Sequence, residues 1–143
     1  MVTFTIFVII MRIIAIRTIK NGYKAFPVAK QSLLAWNEEV ELANWLSPNE
    51  LKQNHASASI INTKRVVFNI HGNKFRLVVD IEYRLGIVFV VWFGSHKTYD
   101  QMDVKTIKYE TESPIYNRII QIENILLHQI KVLIESKTEL FLT

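Results

Sequence analysis

The sequence predicts an α+β domain: an N-terminal strand and helices packed on a small, mainly antiparallel sheet, with an extra C-terminal helix. Three observations carry this. Four β-branched and aromatic runs lie between residues 59 and 92, joined by connections too short for a crossover helix, so neighbouring strands run antiparallel. Before them, apolar residues from Val28 to Ala43 recur at helical spacing. Beyond Pro114 a second helical stripe follows the strands: Ile115, Ile119, Ile122, Leu126, Ile130 and Leu133.

Taken in order, Met1 to Ile10 is uniformly apolar but far short of the roughly 20 residues a spanning helix needs, and Arg12 and Arg17 soon interrupt it. It lacks the basic start and small-residue cleavage site of a signal peptide, and Met11 offers an alternative start. Residues 1–10 are therefore read as an apolar extension. Arg12 to Ile19 is short and β-branched and reads as a strand. Pro27 opens a helix expected to run through Trp45, with Glu38, Glu39 and Glu41 on its solvated side. Ser47-Pro48-Asn49-Glu50 has the form of a capping box with proline at the first helical position, which starts a short helix ending near Asn54.

Strands are then expected at Ser59 to Asn62, Arg65 to Ile70, Lys74 to Tyr83 and Ile87 to Trp92. Turns come from Asn62-Thr63-Lys64, His71-Gly72-Asn73 and Leu85-Gly86. Alternation in Lys74-Phe75-Arg76-Leu77 places the two cations together on one face. The C-terminal stripe reads first as a core-facing helix and second as a partner-binding one. The expected organisation is an extension over 1–10, a main domain over 11–108 and a helical extension over 109–143.

Net charge is +4, unevenly placed: residues 1–110 carry 14 Lys and Arg against 9 Asp and Glu, while 111–143 carry 3 against 4. A basic body favours polyanions such as RNA, and the alternative is a solvated positive face without a partner. The absence of cysteine excludes disulfides, thiolate zinc sites and cysteine nucleophiles, and a disulfide-free basic domain fits the cytoplasm. No zinc, two-metal, P-loop, dinucleotide-binding or nucleophile-elbow pattern is present, so neither metal nor cofactor is expected.

The chemistry concentrates in Asn73-Lys74-Phe75-Arg76 and, some twenty residues on, Gly94-Ser95-His96-Lys97-Thr98-Tyr99-Asp100. RNA cleavage without metal needs a base for the 2′-hydroxyl, cations for the charged transition state and an acid for the leaving oxygen. His96 and Tyr99 are the proton-transfer candidates. Arg76 is the third catalytic candidate, for stabilising phosphate, with Lys64, Arg65, Lys74 and Lys97 as candidate RNA-binding cations. Plainer readings stand beside these: His96 as a turn-capping residue, Tyr99 as an ordinary phenol above a core, Lys74 and Arg76 as strand-surface charges, and Lys64 with Arg65 as a basic turn.

The ordered series Leu33-Leu34-Ala35-Trp36, Ser47-Pro48-Asn49, Ser57-Ala58-Ser59-Ile60, Arg65 to Ile70, Gly72 to Val79 and Gly94 to Asp100 resembles the HigB-type toxins of bacterial type II toxin-antitoxin systems, which are related in fold to RelE-like ribonucleases. The resemblance covers roughly Met11 to Lys108. It implies a RelE-like fold and a metal-independent mRNA endoribonuclease, or mRNA interferase, acting on translating ribosomes and inhibiting translation, with a cognate HigA-like antitoxin as partner. It places Asn73, Lys74 and Arg76 in a Gly-Asn-Lys-aromatic-Arg motif and His96, Tyr99 and Asp100 in a Gly-Thr-His-x-x-Tyr-Asp motif. Ser95 replaces the expected threonine. Val91 stands where relatives commonly carry Lys or Arg, and Ala56 where a basic residue often precedes Ser-Ala-Ser. The alternative expectation is accordingly a catalytically weakened, RNA- or protein-binding remnant. In the tail, Tyr116-Asn117-Arg118 and Ile122-Glu123 loosely resemble the opening of a HigA-type antitoxin.

Overall fold

A computed structural model describes residues 11–109 and 114–142, so the apolar extension at 1–10 lies outside the described residues. The chain divides into two compact units between Tyr109 and Glu110. The first contains β1 (Arg12–Ile14), α1 (Ile16–Ala25), a 3-10 turn (Pro27–Ala29), α2 (Lys30–Glu41), α3 (Pro48–Asn54), β2 (Ser59–Ile60), β3 (Arg65–Ile70), β4 (Phe75–Glu82), β5 (Ile87–Ser95) and α4 (His96–Tyr99). The strands form one sheet in the order β1-β5-β4-β3-β2. All neighbours are antiparallel except β1 and β5, which pair in parallel because α1 to β4 intervene between them.

Alternation along the strands gives the sheet two different faces. On one, Phe68 meets Trp36 of α2 edge-on, ring centroids 5.4 Å apart, and Leu33, Trp36, Val40 and Leu51 are buried. On the other, Val67, Val78 and Val91 make a smaller apolar cluster under Phe89, Trp92, Tyr99, Val104 and Ile107. The second face receives the chain after the strands end, and it carries Arg65 and Arg76.

The strand expected over Arg12 to Ile19 stops at Ile14. Ala15 turns the backbone into the left-handed region (φ 70) and a helix starts at Ile16. β-branched composition favoured a strand, but Ile19 and Gly22 bury one side of α1, and tertiary packing overrides so weak a propensity. The helix expected from Pro27 to Trp45 opens as a 3-10 turn and ends at Glu41. The chain then leaves α2 so that the Ala43 carbonyl accepts from the Met11 N–H at 3.2 Å, and Trp45 comes to lie buried. At α3 the local reading holds. Ser47 Oγ accepts from the Glu50 N–H at 3.3 Å, and Glu50 accepts from the Leu46 N–H at 2.7 Å. The second strand is shorter than expected, β4 starts one residue late and β5 runs on to Ser95.

The second unit holds α5, Pro114–Leu142. Of the apolar stripe expected there, Ile122, Leu126, Ile130 and Leu133 are each more than half exposed. Among the described residues no helix is long and apolar enough to cross a membrane.

Candidate functional site

The turn joining β3 to β4 and the strand end leading into α4 are brought side by side by the sheet ladder. Phe75 pairs with Ser95 and Arg76 with Gly94, and the His96 N–H extends the ladder by donating to the Lys74 carbonyl at 2.9 Å. The turn is tight because His71 (φ 54) and Gly72 (φ 63) both take left-handed backbone, which glycine adopts freely and histidine rarely. At the other segment, Ser95 Oγ accepts from the Thr98 N–H at 3.1 Å and starts α4, so the functional side chains leave a rigid strand on a capped turn.

Arg76 lies at the centre of this corner and is only 9% exposed. Its Nη1 donates to the carbonyls of Asn73 (3.2 Å) and Phe75 (3.0 Å), and its Nη2 donates to Asn73 Oδ1 at 2.5 Å. A guanidinium has five N–H groups, so Nε–H and one Nη2–H are left without a partner among the described residues. The guanidinium carbon lies 6.0 Å from the centre of the Tyr99 ring, at the outer range for a cation over an aromatic face. Gly94, opposite Arg76, has no side chain to fill the space. A Cβ there would come within 2.5 Å of Trp92 Cζ2, so the indole lies across the glycine.

His96 is part-exposed and its Nε2 lies 3.2 Å from Asp100 Oδ1, one helical turn on. That contact occupies Nε2 and leaves Nδ1 without a partner among the described residues. Lys97 and Lys74 are exposed on the two halves of the corner. Lys74 is a turn residue rather than the first residue of a strand, so the expected pair of neighbouring surface cations becomes one exposed lysine and one drawn-in arginine. An imidazole, a phenol and a guanidinium with open donors form a set able to neutralise a phosphate and move protons beside it.

The fold does not bring Lys64 and Arg65 to this corner. Arg65 pairs with Asp80, four residues along β3 from the Asn69 that faces Arg76, a separation of about 13 Å at strand rise. Arg65 is 7% exposed. It grips both oxygens of Asp80 at 2.8 Å, and its Nη1 donates to the carbonyls of Val104 (2.9 Å), Lys105 (3.4 Å) and Ile107 (2.6 Å). The hydrogen bond to Asp80 raises its pKa further, against the opposing effect of burial. These bonds make Arg65 a clasp that holds the chain after α4 against the sheet. Lys64 remains on the surface, 3.3 Å from Glu82.

A register shift between Val78 and Val79 leaves Val91 as an extra residue in β5, and a bulge of this kind turns two consecutive side chains toward one face. Val91 is thereby buried in the apolar cluster while Trp92 stays half-buried beside Gly94. Ala56 is exposed, and its carbonyl is held by Lys52 Nζ at 2.7 Å. The sequence put Asn73 in a motif without giving it a role, and it passed over Trp92. Asn73 positions Arg76, and its signal was the i, i+3 spacing to the arginine. Trp92 borders the corner, and its signal was a glycine two residues on along the same face of the strand, over which its ring lies.

A hollow of about 240 Å³ opens elsewhere, between α2 and the β3 edge, lined by Trp36, Glu39, His55, Asn69 and His71. His55 there packs edge-on against Trp45 and Phe68, and burial lowers its pKa while Glu39, 3.7 Å away, partly raises it. Neither His96 nor Tyr99 reaches this hollow.

Residues 29–102, more than half of the chain, match the HigB toxin family, the RelE-like toxic component of a toxin-antitoxin system. Among curated proteins none matches.

Proposed function

Because this chain belongs to the HigB toxin family, and so is a RelE-like toxin with an antitoxin as its implied partner, we propose that it is a metal-independent endoribonuclease that cleaves mRNA on translating ribosomes. It would act in the cytoplasm, where its substrate and a cognate HigA-like antitoxin meet. The observation that carries the reading is the corner where Arg76, with two open N–H donors, faces Gly94 and the Tyr99 ring beside His96.

In this reading a substrate phosphate takes the open donors of Arg76, with Lys97 and Lys74 supplying outer charge. The 2′-oxygen attacks phosphorus as its proton passes to a base, the 2′-O–P bond forms, and the P–O5′ bond breaks as an acid protonates the leaving oxygen. His96 and Tyr99 are the two proton-transfer groups. The charge that builds on the phosphorane oxygens is met by a guanidinium already fixed by Asn73, so little reorganisation is needed in the transition state. Trp92 offers a ring on which a neighbouring base stacks.

A second reading, a binding remnant without nuclease activity, is favoured by Val91, which fills part of this face with apolar side chain. The two separate in one experiment. Purified chain is added to translating ribosomes in the presence of a chelator that spares ribosomal magnesium, and mRNA ends are mapped. Cleavage by the parent chain that falls at least a hundredfold in His96→Ala supports the nuclease. Intact mRNA with retained ribosome binding supports the remnant.

A further inference from the structure

The amino-terminal part of the first unit carries a charge asymmetry that the corner does not use. Between Met11 and Asn37 there are five cations, Arg12, Arg17, Lys20, Lys24 and Lys30, and no Asp or Glu. Three of them, Arg17, Lys20 and Lys24, lie in α1 at spacings of three and four residues, which aligns them along one side of the helix over about 10 Å. All three are exposed, and none has an ion pair among the described residues. Ile19 and Gly22 take the opposite side and are buried.

The direction of the stripe is set by packing. Gly22 rests against Phe93, where a Cβ would meet the ring at 2.5 Å, and Phe26 after the helix lies 5.0 Å from Phe75 and 6.2 Å from Phe93 between ring centroids. Phe93 precedes Gly94, and Phe75 precedes Arg76. The last turn of α1 therefore ends at the same end of the sheet as the Arg76 and His96 corner but on the opposite face, since Phe75 and Phe93 alternate with Arg76 and Gly94, so RNA passing from one to the other rounds this end of the sheet. Helix α1 also lies before the segment that matches the family.

We propose that the Arg17, Lys20 and Lys24 side of α1 is a phosphate-backbone track that holds the single-stranded RNA substrate beyond the bond being cut and leads it to the corner. This rests on reading the corner as an RNA site. A row of cations at helical spacing with no carboxylate among them neutralises successive phosphates without reading bases, so the track contributes affinity and salt dependence rather than sequence preference.

The test uses the full chain carrying His96→Ala, so that RNA stays intact, and measures binding to a 20-nucleotide and a 4-nucleotide single-stranded RNA across salt concentrations. Neutralising the track (R17Q/K20Q/K24Q) is expected to weaken binding of the long strand at least tenfold at low salt. It should also flatten its log K against log salt slope by about 2, since each phosphate no longer neutralised by the protein lowers the slope by about 0.7. Binding of the short strand, which occupies the corner alone, should change less than twofold. A control with the same reduction of positive charge in α5 (R118Q/K131Q/K137Q) should leave both unchanged. An unaltered slope in the track variant overturns the proposal, as does an equal weakening in the control or equal weakening of both strands. These results stand apart from the cleavage assay: RNA cleaved by the parent chain with no effect of the track variant removes the track and keeps the nuclease. A track effect without cleavage keeps the track and removes the nuclease.

Discussion

Two arginines on the same sheet face, Arg65 and Arg76, are almost equally buried, at 7% and 9% exposure, yet they are held in different ways. Arg65 has a carboxylate on two of its donors and three backbone carbonyls on a third nitrogen. Among the described residues Arg76 has no carboxylate in contact; an amide side chain and two carbonyls fix its plane. On the proposed reading of the corner, the pair shows how a structural guanidinium is told from one kept for a ligand. Burial does not decide it, because both are buried. What decides is whether the fold itself supplies the counter-charge, since an uncompensated buried cation is costly and is retained where an anion completes it.

The strongest challenge to this contrast is to remove each arginine and measure activity and stability together. Arg76→Ala should lower cleavage by a factor of about 10²–10³, the usual loss for one preorganised donor to a charged transition state. Chemical denaturation should show stability changed by less than about 1 kcal/mol, because only neutral partners are left behind. If stability collapses while cleavage per folded molecule persists, Arg76 belongs with Arg65.

Arg65→Ala is expected to do the reverse. It strands Asp80 and the carbonyls of Val104 and Ile107, and should cost about 2–3 kcal/mol in a denaturant midpoint experiment, a figure held down because the Asp80 side chain is about a third exposed. Cleavage per folded molecule should stay within a few-fold of the parent. A large fall in turnover with stability intact would mean that Arg65 touches RNA.

The smallest effect concerns pH, and it places the titration away from both arginines. The folded-state pKa of His55 lies below its ordinary value of 6.5 because burial disfavours the imidazolium. The unfolded chain then binds more protons than the folded one just below that value, so stability is full above about pH 6.5 and declines as pH falls through the folded pKa. His55→Gln should flatten this decline, by less than about 1 kcal/mol between pH 7 and 5. A decline that persists unchanged in the variant would assign it to another group.

What was legible from the residues follows how far apart the interacting partners are. The Ser47 cap, the His71-Gly72 turn and the span of β3 depend on contacts within a few residues, and each stands as the local pattern implies. Arg12 to Ile19 departs from its local pattern because the preference of its isoleucines for a strand is worth little beside the burial of Ile19 and Gly22, and Gly22 packs against a ring some seventy residues away. Arg65 reads as a basic turn because its partner Asp80 is 15 residues distant and its carbonyls about 40, separations that no spacing rule spans.

Residue order was enough to set the α+β class, the place of the strands after residue 59, the placement of basic charge in the first 110 residues, and the two segments from which the candidate corner is built. Which of their cations stay available emerged only when the chain was folded. The ladder that pairs Arg76 with Gly94 leaves its charge without a counter-ion among the described residues, whereas Asp80 and the return of residues 104–107 across the sheet take that of Arg65. A guanidinium looks the same in any sequence, and its availability is set by the desolvation and hydrogen-bond partners that arrive from elsewhere in the chain.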